Sequence, residues 1–478
     1  MKSSALLIYY YNIIYLFSMS QQVTIKQRSH GSKYNSSHLP STTPIIGLGC
    51  SSFSTFFLNE KETKANTTLK NINQDNVETI LEEELKLSNP LIQSWIETIH
   101  YAIENGITLL DTAPWYGHGT SEVIIGFALN KYLNNSIVKN IQRSDLIINT
   151  KVGRYDSDPK YQFDFTYQTT IYSIQRSIRR MQCSYIDIIQ LHDPEFVQPN
   201  IHVLIKETIP ALLYCRDELK IVKSIGLTGY PLEVQYHILQ EVDKSTLGSS
   251  GIVFDQCLTY CHYNLHSQAL FDKNIGSMDY ITNDMRKDGS KVSDHRDDNK
   301  TIQQMSFGQY CHYKSIPLMA AAPLSMGLLT NTKLSIPIWH PASKELQQAC
   351  IKAGEIANEY NVDLPTLAML FALVHKEISC TLLGMANKRQ VDVALNVVNR
   401  LGDVEYCDED NDENLRVGIQ NALKEILTIN EQKVLKMIMD EKNGPFAYVW
   451  SNDQCGWDGV HEAEKFWSSL KETMNSEK

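Results

Sequence analysis

Ile186-Asp187-Ile188-Ile189-Gln190-Leu191-His192 is a short, mostly apolar run that ends on a histidine, and two earlier runs share its design. Ile107-Thr108-Leu109-Leu110 is followed by Asp111, and Leu146-Ile147-Ile148-Asn149-Thr150 is followed by Lys151. The runs lack Gly and Pro and are rich in β-branched residues, which is typical of strands buried on both faces. Helical patterns separate them, which indicates parallel βα units. Because the loops after parallel strands converge on one face, we expect the three polar residues to lie together.

The same pattern extends along most of the chain. Eight strand candidates lie at residues 45–49, 107–110, 146–150, 186–191, 224–228, 252–260, 316–321 and 379–384. Helical patterns between them cover residues 93–104, 121–132, 167–181, 232–242, 345–360 and 364–374. This alternation predicts an α/β fold, a (β/α)8 TIM barrel with a core of about 250 residues. A doubly wound open sheet is the alternative, but Gly47-Leu48-Gly49-Cys50-Ser51-Ser52 lacks the third glycine of its phosphate-binding turn.

Composition narrows the class of protein. Of 478 residues, 42% are hydrophobic and 21% are charged, which is ordinary for a soluble globular protein. The net charge of -11 gives no electrostatic reason to expect a nucleic-acid partner. The ten cysteines show no paired spacing, which indicates reduced thiols rather than a disulfide framework. We therefore expect a cytoplasmic protein that is a monomer or a small homo-oligomer.

The chain exceeds the length that a barrel needs. We expect a leader or disordered N-terminus at residues 1–40, the barrel at 41–400, and an acidic loop with a helical extension at 401–478. Polar segments near 59–89 and 272–304 are predicted inserts in the barrel. Residues 5–17 are apolar and follow Lys2, which leaves a targeting signal open. This stretch is too short and too polar for a membrane span, so no membrane partner is expected.

Four side chains form a set that suits proton exchange with a carbonyl oxygen. Tyr116 follows Asp111 by five residues, and an unperturbed tyrosine pKa of about 10 is too high for this exchange near neutrality. The ammonium group of Lys151 would favour the phenolate and lower that pKa. Asp111 would keep Lys151 charged and in place, and His192 would orient the substrate oxygen. The set predicts an enzyme that interconverts a carbonyl and a hydroxyl.

Local sequence around these residues resembles the aldo-keto reductase superfamily. Gly106-Ile107-Thr108-Leu109-Leu110-Asp111-Thr112-Ala113-Pro114-Trp115-Tyr116-Gly117 is similar to its first signature, and Thr150-Lys151 and Leu191-His192-Asp193 fall where its lysine and histidine lie. The resemblance covers residues 44–398. Segments 226–232, 260–264, 322–330 and 339–343 narrow it to the branch of L-galactose and D-arabinose dehydrogenases. It implies oxidation of a free aldose at C1 to a lactone in ascorbate synthesis, with Asp111, Tyr116, Lys151 and His192 as the catalytic residues.

The resemblance also implies a nicotinamide cofactor. The residues that it assigns to the cofactor are Gly47, Gly49, Thr228, Gly229, Pro323, Leu324, Gly327, Gly384, Met385, Asn387 and Gln390. Relatives that use NADP place Lys, Ser and Arg around its 2′-phosphate, whereas the matching positions here look like Gly384, Met385 and Gln390. NAD is therefore expected, and the adjacent Lys388 and Arg389 keep NADP as the alternative.

The substrate pocket is predicted from residues that follow the strands. Its candidates are Phe53, Trp115, Tyr155, Asp193 and Phe196, each of which could instead serve packing. No metal is expected, because the pairs Cys261-His262 and Cys311-His312 lack zinc-site spacing. Two other functions stay open: an NADPH-dependent general aldehyde and ketone reductase, and a barrel subunit that senses nucleotides without catalysis.

Overall fold

The computed structural model describes residues 25–29, 39, 42–58, 60–133, 141–245, 247, 253–272, 305–330, 340–405, 412–447 and 459–476. Its strands are β1 Gln27–Ser29, β2 Thr42–Pro44, β3 Ile46–Gly49, β4 Leu109–Asp111, β5 Ile147–Val152, β6 Ile186–His192, β7 Val222–Gly229, β8 Gln256–Tyr260, β9 Leu318–Ala321 and β10 Ile378–Gly384. Its helices are α1 Glu60–Ala65, α2 Val77–Lys86, α3 Pro90–Glu104, α4 Thr120–Leu133, α5 Tyr167–Arg180, α6 Ile209–Asp217, α7 Leu232–Lys244, α8 Phe307–Tyr313, α9 Lys344–Glu359, α10 Leu364–Leu373, α11 Lys388–Leu401, α12 Asp412–Ile426, α13 Ile429–Ile438 and α14 Gly459–Ser476.

Strands β3 to β10 form a closed barrel of eight parallel strands, which confirms the predicted (β/α)8 fold. Each strand pairs with its sequence neighbours, and β10 closes the barrel against β3. All eight predicted strand segments overlap an observed strand. The register pairs Asp111 with Asn149, Lys151 with Gln190 and His192 with Thr228. Every residue of β5 and β6 is buried, as expected for strands covered by side chains inside and helices outside.

Packing inside the barrel explains where the polar residues lie. One interior cluster is apolar and consists of Leu109, Ile147, Ile188, Leu258, Met319, Cys380 and Leu382. Gly47 leaves room for this cluster, because a Cβ atom there would lie 2.6 Å from Leu382 and 2.8 Å from Leu109. Side chains two residues further along a strand point the same way. Asp111, Lys151 and His192 therefore stand above the apolar layer, at the carboxyl-end mouth.

The outer helices begin at side-chain caps that the sequence supplies. Asn89 accepts a hydrogen bond from the Leu91 amide ahead of Pro90, and Asp363 accepts one from the Thr366 amide. Such caps satisfy amides that have no partner within the helix. The six predicted helices are observed with ends shifted by a few residues. Helices α2, α6, α8 and α11 were not indicated by the pattern.

Described parts of the predicted N-terminal segment and of the insert at 59–89 form strands and helices. Within residues 1–40, which were expected to be a leader or disordered, Gln27–Ser29 forms a strand that pairs with Thr42–Pro44. The insert at 59–89 contains α1 and α2, and α2 buries only Val77 and Leu81, which explains its weak pattern. The insert at 272–304 lies outside the described residues except for Asp272. The division of the chain at residues 40 and 400 stays a prediction.

The extension after residue 401 includes helices α12, α13 and α14. Helix α14 packs at the mouth of the barrel. Trp467 Nε1 donates to the carbonyl of Phe196, at 3.1 Å, and the Phe466 ring meets Phe196 edge-on at 5.9 Å between centroids. The extension therefore borders the loop that follows β6.

Candidate active site

The structure brings the four predicted catalytic residues together at the mouth. Asp111 ends β4, Lys151 lies in β5 and His192 ends β6, so neighbouring strands supply them. Tyr116 lies in the tight turn after β4, where its amide donates to the carbonyl of Ala113 at 3.0 Å. The predicted meeting of these side chains is thus observed.

Lys151 and Asp111 form a buried ion pair. The Lys151 Nζ atom lies 2.9 Å from both carboxylate oxygens of Asp111 and 2.7 Å from the carbonyl oxygen of Thr112. Asn149 Nδ2 donates to Asp111 Oδ2 at 2.8 Å. The exposed fractions are 1% for Lys151 and 3% for Asp111, so each charge depends on these partners. Burial raises the pKa of Asp111, and Lys151 acts against that rise.

Tyr116 lies beside the ion pair, with Lys151 Nζ 4.7 Å from its ring centroid. Burial raises the pKa of the Tyr116 phenol well above its usual value, and the charges of Asp111 and Asp193 add to the rise. On balance this pKa is therefore raised, in the direction opposite to the lowering expected from Lys151. The physical reason is that desolvation and two nearby carboxylates both disfavour the phenolate.

His192 is neutral at physiological pH. Burial lowers its pKa to about 3, against the influence of Asp193, and Lys151 and Arg154 lower it further. Its ring meets Tyr116 edge-on, with 6.4 Å between the ring centroids. His192 Nε2 lies 3.4 Å from Asp193 Oδ1. Among the described residues, Nδ1 of His192 is buried with no hydrogen-bond partner. A neutral imidazole at this position can donate a hydrogen bond without carrying charge.

Arg154 is a site residue that the sequence reasoning missed. Its Nη1 atom lies 2.8 Å from Asp193 Oδ2, and its guanidinium stacks 4.1 Å above the Trp115 ring. Burial raises the pKa of Asp193, but the ion pair and hydrogen bond with Arg154 and the charge of Lys151 act against burial, and that pKa lies below its usual value. The one available signal was the position of Arg154, three residues after Lys151 on the same strand end.

Of the predicted substrate-pocket residues, Trp115 and Asp193 lie beside the catalytic group at the mouth, and their role towards substrate stays a prediction. Trp115 forms an aromatic group with Phe56 and His118, whose ring centroids lie 5.7 and 5.4 Å from it. Phe56, which is 38% exposed, and His118 were not predicted. Asp193 lies next to His192 in a left-handed conformation with φ of 48°.

Three of the predicted pocket aromatics have other surroundings. Phe53 is fully buried against Trp95 of α3, and Tyr155 lies against Arg176 of α5, so both pack away from the mouth. Phe196 stacks on Phe163 at 4.1 Å. Helix α14 covers this stack through Phe466, which lies 5.2 Å from Phe163. Phe196 therefore lines the periphery of the mouth.

The predicted cofactor residues follow β3, β7, β9 and β10 at the same mouth, with one exception. Thr228 and Gly229 end β7, Pro323 and Leu324 with Gly327 follow β9, and Gly384 ends β10 beside Met385. Gly49 pairs with Gly384 across β3 and β10. Gly47 is the exception, because it lies in the apolar interior two residues below Gly49.

Backbone conformation dominates this second half of the mouth. Ser325, Met326 and Gly327 all have positive φ values, of 49°, 51° and 97°. In the part of the chain that the structure describes, no atom lies within 4 Å of a Cβ built on Gly327 or on Gly384, so the backbone at both positions is open on that side. Such a surface, followed by the N-terminus of α11, fits the phosphates and ribose of a dinucleotide.

Asn387 and Gln390 organise the start of α11. Asn387 Oδ1 accepts from the Gln390 amide at 3.1 Å, and Gln390 Oε1 accepts from the Ala386 amide at 2.6 Å. Lys388 is paired with Glu97 at 2.9 Å, while Arg389 is exposed. The predicted ribose residues therefore cap the helix, and two cations lie next to them.

The described residues contain neither a metal-binding cluster nor a membrane-spanning helix. No group of three or more His, Cys, Asp or Glu side chains lies close enough together there to hold a metal ion. No described helix is both long enough and apolar enough to cross a bilayer.

Comparison with known proteins decides the family. The model of the aldo/keto reductase family matches residues 92–280 and 290–409. The chain belongs to the aldo/keto reductase family. It is 32% identical to L-galactose dehydrogenase of Arabidopsis thaliana over 306 residues, which cover 64% of this chain and 78% of the relative. It is 28% identical to D-arabinose 1-dehydrogenase of Saccharomyces cerevisiae over 306 residues, 63% of this chain and 75% of the relative.

Among solved structures, the chain is similar to an aldo-keto reductase from Bacillus halodurans in its holo form. The TM-score is 0.48 at 18% identity, and the match covers 85% of this chain and 99% of that chain. The family match ends at residue 409 and begins at residue 92. The aldo/keto reductase family binds a nicotinamide cofactor, so this chain is an oxidoreductase of that type, with relatives that are aldose dehydrogenases.

Proposed function

We propose that this chain oxidises L-galactose, or a closely related aldose, at C1 to the aldonolactone with NAD, as a step of ascorbate biosynthesis. The observation that carries the proposal is the buried Lys151–Asp111 pair beside Tyr116 and a neutral His192. The identity of 32% with L-galactose dehydrogenase supports the choice of sugar.

The residues divide the chemistry between them. Oxidation at C1 removes the proton of the C1 hydroxyl group and a hydride from the C1 carbon, and a nicotinamide cofactor bound at the mouth would supply the hydride acceptor. Tyr116, as its phenolate, accepts the proton of the C1 hydroxyl group, and the resulting phenol releases a proton to solvent before the next turnover. The ammonium group of Lys151, 4.7 Å from the centroid of the Tyr116 ring, would stabilise the phenolate during that transfer, against the burial that raises the pKa of Tyr116. His192 donates a hydrogen bond to the sugar oxygen as a neutral imidazole.

The substrate side of the mouth suits a polyhydroxylated ligand without charge. The Trp115 ring offers a flat face, and Arg154 with Asp193 offers donors and acceptors for hydroxyl groups. The charge of Arg154 is matched by Asp193, so the pair favours a neutral sugar over an anionic one. Phe163 and Phe196, braced by Phe466 of α14, would limit the size of the sugar.

NAD is proposed over NADP because the positions beside the adenosine ribose are Gly384, Met385 and Gln390. Gln390 is committed to the Ala386 amide, and Lys388 is paired with Glu97. Arg389 is exposed at the start of α11 and supports the alternative, an NADPH-dependent reductase of aldehydes and ketones. The same four mouth residues would serve either direction of reaction.

The test uses the purified full-length chain and absorbance at the reduced-nicotinamide band. L-galactose is supplied with NAD or with NADP, and D-galactose serves as the stereochemical control. We expect reduced nicotinamide to form with L-galactose and NAD. Turnover of aromatic aldehydes with NADPH, without sugar oxidation, would replace this proposal with the general reductase. Cofactor binding without turnover in either direction would favour a nucleotide-sensing subunit.

A further inference from the structure

Gln74 links two loops of the mouth through one side-chain amide. It lies in the insert between residues 59 and 89, just ahead of α2, and only 6% of it is exposed. Its Nε2 atom donates to the carbonyl oxygen of Pro114 at 2.8 Å and to that of Tyr155 at 2.7 Å. Pro114 lies two residues before Tyr116, and Tyr155 directly follows Arg154. One amide therefore ties the loop after β4 to the loop after β5.

Arg180 of α5 holds that amide in one orientation. Arg180 Nη1 donates to Gln74 Oε1 at 2.9 Å, and Nη2 donates to the Gln74 backbone carbonyl at 2.8 Å. A guanidinium only donates and backbone carbonyls only accept, so the oxygen of the amide must face Arg180 and its nitrogen must face the loops. Arg180 is itself held by Glu122, at 3.4 Å, and by Glu78, at 3.2 Å.

Both loops contain proposed site residues, Tyr116 after β4 and Arg154 after β5. In the loop after β4, the Tyr116 amide donates to the carbonyl of Ala113 and so closes a turn. The carbonyl of Pro114 lies within this turn, and Gln74, from outside the loop, donates to it. In the loop after β5, Arg154 pairs with Asp193 and stacks on Trp115. A shift of either loop would change the position of Tyr116 relative to Lys151 or the position of Arg154 relative to Asp193.

We propose that Gln74 is a positioning residue, which sets the place of Tyr116 against Lys151 and His192 by fixing the carbonyls of Pro114 and Tyr155. This inference rests on the proposed function, because it assigns Tyr116 the proton transfer. We call the two hydrogen bonds from Gln74 to the carbonyls of Pro114 and Tyr155 the brace. Gln74 belongs to a segment that precedes the match to the family model, which begins at residue 92. The insert thus contributes to the site although none of its side chains is proposed to touch the substrate.

The matched experiment compares Gln74→Glu with Gln432→Glu. The first variant keeps the side-chain shape and an acceptor for Arg180, but it replaces the shared donor by an oxygen that faces two carbonyls. Gln432 Nε2 also donates to two backbone carbonyls, of Lys424 at 3.0 Å and Leu427 at 2.9 Å, in the helical extension. Gln432→Glu therefore removes the same kind of link without touching the mouth loops.

We expect Gln74→Glu to lower kcat at least tenfold, while the sugar KM and the cofactor Kd change by less than about threefold. The pH profile of kcat should shift as well, because the titration of Tyr116 depends on its distance from Lys151. Gln432→Glu should leave kcat and the profile as in the wild type. An unchanged kcat in Gln74→Glu would overturn the proposal. So would a loss of kcat that is equal in both variants and is explained entirely by the fraction of folded protein. Gln74→Met gives an uncharged second variant if Gln74→Glu does not fold.

Amide hydrogen exchange separates this inference from the proposed function. If the wild type oxidises no sugar but reduces an aldehyde with NADPH, the proposed function fails and the same comparison is made with the aldehyde. In either case, and without any turnover, Gln74→Glu should speed exchange at least tenfold in residues 112–120 relative to wild type. Gln432→Glu should leave that segment unchanged. Exchange in 112–120 that stays at the wild-type rate in Gln74→Glu would reject the brace.

Discussion

The two halves of the barrel mouth are built in different ways. Strands β4, β5 and β6 contribute charged and aromatic side chains, of which Asp111, Lys151 and His192 are almost completely buried. Strands β3, β9 and β10 contribute glycines and a left-handed backbone run, with open space beside Gly327 and Gly384. In the first half, which we call the side-chain half, the functional groups of individual side chains determine the proposed proton transfer. In the second half, which we call the backbone half, the path of the main chain determines the shape of the proposed cofactor surface.

This difference predicts how each half responds to mutation. A side-chain half should lose function sharply when one group is removed, because no neighbour can replace a proton donor or a buried charge. A backbone half should tolerate most side-chain changes and respond mainly where a glycine conformation is required. The predictions below compare the two halves, beginning with the largest expected effect.

Tyr116→Phe should have the largest effect. Removal of the phenol oxygen leaves the ring in place over Lys151 but removes the proposed proton acceptor. Turnover should fall about 100-fold to 10,000-fold, the usual range for a general acid–base group. Cofactor binding, measured by quenching of protein fluorescence, should stay within about twofold of wild type. Near-normal turnover by folded Tyr116→Phe would reject the acid–base role.

Asp111→Asn should destabilise the fold as well as the site. It leaves the Lys151 charge buried without a carboxylate, which costs about 3–5 kcal/mol for a buried pair. Turnover should fall at least tenfold because Lys151 no longer has a fixed position. Glu97→Gln is the matched control, since the Lys388–Glu97 pair is exposed and worth less than about 1 kcal/mol. Equal unfolding free energies for the two variants in urea would contradict this assignment.

The fold and the side-chain half could be predicted from the sequence because their signals are local. An apolar, β-branched run such as Ile186–His192 shows a buried parallel strand, and the polar residue at its end shows where the mouth lies. The meeting of Asp111, Lys151 and His192 could be predicted from strand order alone, because β4, β5 and β6 are neighbours in the barrel. The pKa of Tyr116 could not be predicted from local sequence, because it depends on burial and on Asp111 and Asp193, and Asp193 lies in the loop that follows a different strand, β6.

The remaining features depend on contacts between distant segments. Gln74 meets Arg180, which lies 106 residues later, so nothing in the polar sequence of the insert distinguishes it from its neighbours. Phe53 follows a strand end as Trp115 does, yet its ring turns towards Trp95 of α3. The family resemblance assigned Gly47 to the cofactor together with Gly49, but Gly47 lies one layer deeper on the same face of β3, in the apolar interior.

Gly327→Ala should test the backbone half directly. At φ of 97°, an alanine is strained by about 1–2 kcal/mol, while no atom of the described residues obstructs its Cβ. The loop after β9 should relax from its present path, and cofactor Kd should rise by up to about tenfold. Gly402→Ala is the control, because it also has a positive φ, of 55°, and open space but lies at the end of α11. A weaker cofactor affinity in both variants would show general destabilisation rather than a cofactor surface.

Arg389→Ala should have the smallest effect. An exposed cation at the start of α11 has no 2′-phosphate to bind if the cofactor is NAD, so NAD Kd should change by less than about twofold. Arg389→Lys, which keeps the charge, should match wild type with either dinucleotide. Two results together would show that a side chain selects the cofactor: the wild-type protein turns over with NADP, and Arg389→Ala loses NADP affinity tenfold or more. The backbone half would then be built on the same principle as the side-chain half, and the contrast between them would not hold at α11.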